Sequence, residues 1–128
     1  MVADTSALIA ILMREADAQI FAAALSRNRP VLVSSATAVE FLIVALGKGG
    51  DAYRGAIAML EGNDIELVPL DYEQALVAGE ANRLYGKGRH PAALNFGDTF
   101  AYALASVRNL PLLFKGNDFA RTNVTPAV

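Results

Sequence analysis

Four acidic residues stand at points in the chain where an α/β fold could bring their side chains together: Asp4, Glu40, Asp98 and Asp118. Asp4 closes a short apolar segment that predicts a strand, and Asp118 follows the predicted strand ending at Phe114 by four residues. We place Glu40 and Asp98 in the first turns of two predicted helices. Since ligands bind beyond the carboxyl ends of parallel strands, we expect these acids to converge on one edge of a sheet.

Converging carboxylates predict a site for a hard divalent cation, because Mg²⁺ and similar ions prefer oxygen ligands. Such an ion can orient a phosphodiester and lower the pKa of a water that attacks it, so no side-chain nucleophile is required. The chain has no cysteine and a single histidine, His90, which lies in a predicted loop. We expect His90 to be a surface residue rather than a general base.

Each acid also has a structural explanation when it is taken alone. Asp4 could accept hydrogen bonds from the turn that follows it, and Asp118 could be an ordinary turn residue. Asp98 fits the first turn of a helix, where the exposed amides and the helix dipole stabilise a carboxylate. Glu40 lies in an apolar run, where a buried charge is costly without a partner, unless the helix is turned so that only Glu40 faces water.

The elements that must position these acids alternate between short apolar strands and helices. Pro30, Gly47, Pro69 and the glycines before residue 91 interrupt the pattern, as expected at turns. This alternation predicts an α/β sandwich around a mostly parallel sheet, although it does not give the strand order. The predicted strands cover residues 1–4, 31–33, 65–70 and 112–114, and the predicted helices cover residues 7–13, 16–25, 36–47, 51–60, a segment from 71, and 97–107.

Composition limits the size and environment of the protein. At 128 residues the chain is expected to form one domain, residues 1–128. The absence of cysteine excludes disulfides and is compatible with a reducing cytosol. The apolar stretches are far shorter than the roughly 20 residues needed to span a bilayer, and the amino terminus lacks a basic leader, so we expect a cytoplasmic protein without membrane association.

The balance of apolar and charged residues bears on binding partners. Hydrophobic residues make up 54% of the chain and charged residues 19%, which leaves apolar surface for a partner or a second copy. The helix over 36–47 is apolar nearly all round, so it should be buried or lie in an interface. A net charge of -2 argues against a general nucleic-acid binder, because attraction to phosphate normally requires clustered lysine and arginine.

Four segments of the chain resemble, in order, the motifs of VapC-type PIN-domain toxins. They are VADTSAL at residues 2–8, Glu40 after SSAT at 34–37, HPAALNFGDTFAYALA at 90–105, and LLFKGNDF at 112–119. The resemblance spans nearly the whole chain and implies a compact α/β/α fold. It also implies RNA cleavage with Mg²⁺ or Mn²⁺, a homodimer, and inhibition by a VapB-type antitoxin.

The resemblance also implies roles for individual residues. Asp4 and Asp98 would be metal ligands, followed by Glu40 and by Asp118 as the fourth acidic position, all four forming the catalytic site. Thr5 or Ser6 would assist at the substrate from the same turn. The family often has an aspartate after the threonine of its last motif, whereas this chain has Asn123 there. The choice between Asn117 and Asp118 as the residue that completes the site therefore stays open.

The sequence further suggests surfaces for RNA and for protein partners. Arg83, Lys87 and Arg89 are the densest basic cluster and precede the Asp98 helix, so we expect them to hold the RNA backbone. We expect a homodimer or an antitoxin complex to bury either the face over residues 41–46 or the face over residues 21–25.

Two other classes of protein are compatible with part of the pattern. The first is a noncatalytic interaction module that retains the PIN fold and binds through its apolar helices. The second is a receiver-like phosphotransfer domain, since Lys115 follows a predicted strand. Receivers usually pair two acids after the first strand, however, whereas Asp4 is followed by Thr5 and Ser6.

Overall fold

A four-stranded sheet, in which every strand runs parallel to its neighbours, forms the centre of the computed structural model, which describes all 128 residues. The strand order is β3-β2-β1-β4, so β1 is an inner strand with a neighbour on each side. All the strands therefore end at the same edge of the sheet. The strands are β1 (Val2–Ala3), β2 (Val31–Ser34), β3 (Ile65–Val68) and β4 (Leu112–Leu113).

Six helices cover the two faces of the sheet and produce two separate apolar cores. Successive side chains of a strand point to opposite faces, and Val2 accordingly packs into one core and Ala3 into the other. The core around Ala3 takes its helical residues from α1 to α4, and the core around Val2 takes them from α5 and α6. The helices are α1 (Thr5–Leu12), α2 (Ala18–Arg27), α3 (Ser35–Lys48), α4 (Gly50–Glu61), α5 (Tyr72–Tyr85) and α6 (Asp98–Arg108).

This arrangement confirms the predicted α/β/α sandwich, with a sheet that is wholly rather than mostly parallel. Short polar residues make the sharp change from strand to helix at the carboxyl edge. The Asp4 side chain accepts a hydrogen bond from the Ser6 amide at the start of α1, and the Ser34 hydroxyl accepts one from the Ala36 amide at the start of α3. Each side chain satisfies a donor that the first helical turn leaves free.

One predicted position is wrong by a turn. Glu40 lies in the second turn of α3 rather than in the first, because the cap at Ser34 starts the helix at Ser35. Its side chain is half-buried, so neither full burial nor full exposure describes it.

The apolar helices differ from one another in exposure. Phe21 and Leu25 of α2 are buried in the core, so the prediction that residues 21–25 offer an interface is wrong. In α3, Phe41 and Ala45 are also buried, whereas Ile43 and Leu46 are exposed. The face of α3 that remains available to a partner is therefore the one opposite Phe41. Separately, none of the helices combines the length and the apolar character that crossing a membrane requires.

Candidate active site

Asp4 lies directly after β1 and is held in one orientation by Ser6. The residue is only 3% exposed. The Ser6 hydroxyl and the Ser6 amide both donate to Oδ2 of Asp4, at 2.7 and 3.0 Å. The backbone amide of Lys115, just beyond β4, donates to the Ser6 hydroxyl oxygen at 2.9 Å. Ser6 therefore links Asp4 to the end of the neighbouring strand β4. It makes no hydrogen bond to Oδ1 of Asp4.

Asp98 begins α6 and is fixed by a reciprocal pair of hydrogen bonds with Asn95. The Asn95 amide donates to Oδ2 of Asp98, and the Asp98 amide donates to Oδ1 of Asn95, both at 2.9 Å. Asp98 as a whole residue is 7% exposed. The loop before α6 thus uses its own polar groups to present one carboxylate at the carboxyl edge of the sheet.

Glu40 reaches the same region from α3. The Thr5 hydroxyl donates to Oε1 of Glu40 at 2.5 Å, and Glu40 packs against Gly97, the residue before Asp98. The hydroxyl groups of Thr5 and Ser6 therefore both donate hydrogen bonds to carboxylates. Their placement supports a role in positioning the acids rather than in direct contact with a substrate.

Asp118 is the exposed member of the group. It lies in the segment after β4, and its negative charge is one of those that act on Asp98. Asn123 lies apart from the acids, where it accepts a hydrogen bond of 2.6 Å from the Tyr102 hydroxyl. The structure thus brings Asp118 to the acidic cluster and Asn123 elsewhere, while Asn117, the other residue left open by the sequence, lines the same cavity as Asp118.

Burial and mutual repulsion make the metal-free cluster electrostatically unfavourable. Burial raises the pKa of Asp4 to about 6, aided by the charge of Glu40 and opposed by the hydrogen bonds from Ser6. Burial raises the pKa of Asp98 to about 7, against the hydrogen bond from Asn95. The charges of Asp4, Asp118 and Glu40 raise the pKa of Asp98 further, which places the four acids in one electrostatic cluster.

The donor set fits a divalent cation. Oδ1 of Asp4 is buried and has no hydrogen-bond partner, which is costly for a carboxylate oxygen unless a ligand occupies that position. No group of three His, Cys, Asp or Glu side chains is arranged to hold a metal by itself. A closed cage is not required, because Mg²⁺ keeps several waters and is usually bound through one or two carboxylates together with substrate phosphate.

The predicted basic residues lie on the surface. Arg83 forms an ion pair with Glu80 of the same helix, whereas Lys87 and Arg89 are exposed and have no ion-pair partner. The loop that carries them continues into residues 91–93, which line a cavity of about 460 Å³ together with Asp118 and its neighbours. Of the four acids only Asp118 lines this cavity, and the basic residue in its lining is Arg121 rather than Arg83, Lys87 or Arg89.

Sequence reasoning missed Asn95 and Gly97 as parts of the site, and it placed His90 at the surface of a loop, where the residue is half-buried. Asn95 precedes Asp98 by three residues, which is the spacing of reciprocal side-chain bonds at a helix start, so this signal was available. Nothing in the sequence indicates the contact of Gly97 with Glu40. His90 is half-buried, its Nδ1 accepts a hydrogen bond from the Ala92 amide, and its ring packs edge-on against Tyr85. His90 thus supports the loop.

The family model described as the PIN domain matches residues 1–124, and the chain therefore belongs to the PIN-domain family. Within that family it is similar to the VapC ribonucleases, as the motifs predicted. Ribonuclease VapC30 of Mycobacterium tuberculosis is 43% identical over 125 residues, which are 97% of this chain and 95% of that protein. Family membership leaves the receiver-like alternative without support.

Two solved structures share the fold. VapC20 of Mycobacterium tuberculosis, a toxin that cleaves the sarcin-ricin loop, has a TM-score of 0.78 at 16% identity and matches 97% of this chain and 95% of its own. The VapBC2 complex of Rickettsia felis, bound to a promoter DNA fragment, has a TM-score of 0.71 at 17% identity and matches 98% and 94%. At these identities the similarity establishes the fold alone.

The raised pKa values predict a specific pH dependence of stability in the absence of metal. An aspartate with a raised folded-state pKa stabilises the fold fully at low pH, and that contribution is lost as pH rises through the folded value. Asp98→Asn cannot ionise but keeps an oxygen that can accept from Asn95. We therefore expect the variant to gain stability relative to the unmodified chain as pH rises from about 4 to about 7.

Denaturant unfolding in the presence of a chelator measures this difference. Since the pKa of Asp98 is raised from about 4 to about 7, most of the change should occur between these two pH values, and the difference should level off above pH 7. A stability difference that stays constant across the range contradicts the raised pKa.

Proposed function

We propose that residues 1–128 act as a single PIN domain that cleaves RNA with Mg²⁺ or Mn²⁺, as the toxin of a type II toxin–antitoxin pair. The observation that carries this proposal is the buried Asp4 carboxylate, whose Oδ1 has no partner, within an acidic cluster at the carboxyl edge of the sheet. The similarity to ribonuclease VapC30 supports RNA as the substrate.

The chain's own residues prepare the site for such an ion. Ser6 fixes one oxygen of Asp4, and Asn95 fixes one oxygen of Asp98, so each acid keeps a second oxygen for coordination. Both acids must be deprotonated to act as ligands, which couples binding to pH. When bound, a divalent cation orients the phosphodiester and lowers the pKa of the attacking water.

The other acids complete this arrangement. Glu40, held by Thr5, adds negative charge beside Asp4 and is the next candidate ligand. Asp118, which is exposed at the cavity, stands where the substrate would enter. Because His90 is engaged in its own loop, no histidine base takes part in the proposed reaction.

Replacing either buried acid tests the metal site. We expect Asp4→Asn and Asp98→Asn each to abolish RNA cleavage and to remove most of the rise in melting temperature that Mn²⁺ produces, because a ligand is lost. Melting curves with and without Mn²⁺, and cleavage of a structured RNA with and without chelator, measure the two effects.

Asp51→Asn is the matched control, since Asp51 is exposed on α4 and pairs with Arg54. This variant should respond to Mn²⁺ and cleave RNA as the unmodified chain does. Retained cleavage and retained Mn²⁺ stabilisation in both Asp4→Asn and Asp98→Asn would contradict the proposed function. Stabilisation by Mn²⁺ without any cleavage of RNA by the unmodified chain would instead favour the noncatalytic module.

We further propose that the basic loop positions the RNA backbone. Lys87 and Arg89 carry free charges in the loop that leads into residues 91–93, which line the same cavity as Asp118, whereas Arg83 contributes less because Glu80 already pairs with it. Phosphate contacts of this kind fix the position of a nucleic acid without reading its sequence.

Neutralising Lys87 and Arg89 to glutamine should weaken RNA binding and flatten its salt dependence, by about 0.7 in the log–log slope for each phosphate that the protein no longer neutralises. Adding Arg83→Gln should change the slope only slightly more. The control removes the same charge from Arg27 and Arg108, which are exposed at the ends of helices leading into the opposite edge of the sheet. Equal slopes for the two double variants would refute the assignment.

For partners, we propose a homodimer through α3 and inhibition by a VapB-type antitoxin. The exposed side chains Val39, Ile43 and Val44 of α3 line an apolar cavity of about 240 Å³ with Phe96 and Phe100. An apolar surface of this kind is typical of a contact between copies. The fold that this chain shares with the VapBC2 complex supports an antitoxin partner.

Ile43→Glu should convert the dimer into a monomer. Burying an unpaired carboxylate costs about 3 to 5 kcal/mol, which corresponds to a dissociation constant roughly 100-fold higher or more. Ile20→Glu is the matched control, because Ile20 is 60% exposed and Ile43 is 66% exposed. Sedimentation equilibrium should detect dissociation only for Ile43→Glu, and a monomeric unmodified chain at high concentration would rule the dimer out.

A further inference from the structure

Gly97 is a buried residue whose missing side chain leaves room for the carboxylate of Glu40. A Cβ atom built on Gly97 would lie 1.7 Å from Oε2 of Glu40, 2.5 Å from its Cδ and 3.0 Å from its Oε1. All three distances are shorter than ordinary contact, and all three atoms belong to one carboxylate. Glu40 therefore occupies the space that any other residue at position 97 would fill.

The backbone does not explain the glycine. Gly97 has φ -63° and ψ -38°, which are ordinary helical values that alanine adopts readily. The atoms that a methyl group would meet are the far end of a flexible side chain, so Glu40 could rotate away without disturbing the core. Alanine at this position should consequently be compatible with folding while displacing Glu40.

The position of Glu40 connects the two buried acids. On one side its Oε1 accepts from the Thr5 hydroxyl, and Thr5 directly follows Asp4. On the other side its carboxylate lies against Gly97, which directly precedes Asp98. A shift of Glu40 away from Gly97 would alter the charge beside both Asp4 and Asp98, whose pKa values its charge already raises.

We propose that Gly97 is a positioning residue, which holds the Glu40 carboxylate between Thr5 and Asp98 and thereby sets the affinity of the acidic site for a divalent cation. This inference rests on the proposed function and deepens it. Groups that orient metal ligands typically change metal affinity by roughly 10- to 100-fold when they are altered.

A double-mutant cycle between Gly97→Ala and Glu40→Ala tests the proposal, with Mn²⁺ affinity measured by calorimetry. We expect each single variant to weaken Mn²⁺ binding by roughly 10-fold or more. The double variant should bind as Glu40→Ala alone does, because Gly97 acts only through Glu40. Gly47→Ala is the control: Gly47 lies in the same helix as Glu40, and a Cβ there would meet nothing within 4 Å.

Two results would overturn the proposal: unchanged Mn²⁺ affinity in Gly97→Ala, or a further decrease in affinity when Gly97→Ala is added to Glu40→Ala. If Gly97→Ala alone fails to fold, a folded double variant supports the proposal, and an unfolded double variant refutes it.

The proposed function and the positioning role can fail separately. If the unmodified chain binds no Mn²⁺, the proposed function fails. A crystal structure of Gly97→Ala then tests the positioning role by itself. A Glu40 carboxylate displaced from Thr5 supports that role, and an unmoved carboxylate refutes it.

Discussion

Burying a carboxylate at the end of an inner strand is the constraint on which the rest of this site depends. Asp4 follows β1, which has a strand on each side, so its side chain has little access to water. Desolvation then favours the protonated acid, and the neighbouring acids favour it further. Asp4 nevertheless lies where such a fold binds its ligands, because an α/β sheet gathers ligand-binding residues at its carboxyl edge.

Three neighbouring residues each orient one of the acids. Ser6 holds Asp4, Thr5 holds Glu40, and Asn95 holds Asp98, each through hydrogen bonds of 2.5 to 3.0 Å. Each bond occupies one oxygen and restricts the carboxylate to one orientation. A site held in this way loses little conformational entropy when it binds an ion, which is the general advantage of preorganised ligands.

Much of this arrangement could be predicted from the sequence, because it follows from periodicity and chain order. Asp4 comes after a predicted strand, and the parallel sheet that carries the convergence of the acids was predicted from the alternation of strands and helices. For a helix that is apolar nearly all round, the sequence could not show in the same way which face packs against the core. Phe21 and Phe41 are equally apolar in sequence, and only packing decides that both face the core while Ile43 does not.

Contacts between residues far apart in the chain, which depend on the path of a loop, could not be predicted from the sequence either. The loop before α6 places Gly97 against Glu40, a residue 57 positions earlier in the chain. Likewise, only the path of the chain after β4 separates Asp118, which acts on Asp98, from Asn123, which pairs with Tyr102. Residue types and local spacing do not encode such distances.

The central claim is that Asp4 and Asp98 together hold a divalent cation. The most direct measurement is anomalous diffraction from crystals grown with Mn²⁺, which locates the ion independently of any assay. We expect one dominant peak within coordination distance of Oδ1 of Asp4 and of a carboxylate oxygen of Asp98. A crystal in which Mn²⁺ occupies another position, with Oδ1 of Asp4 still unliganded, would contradict it.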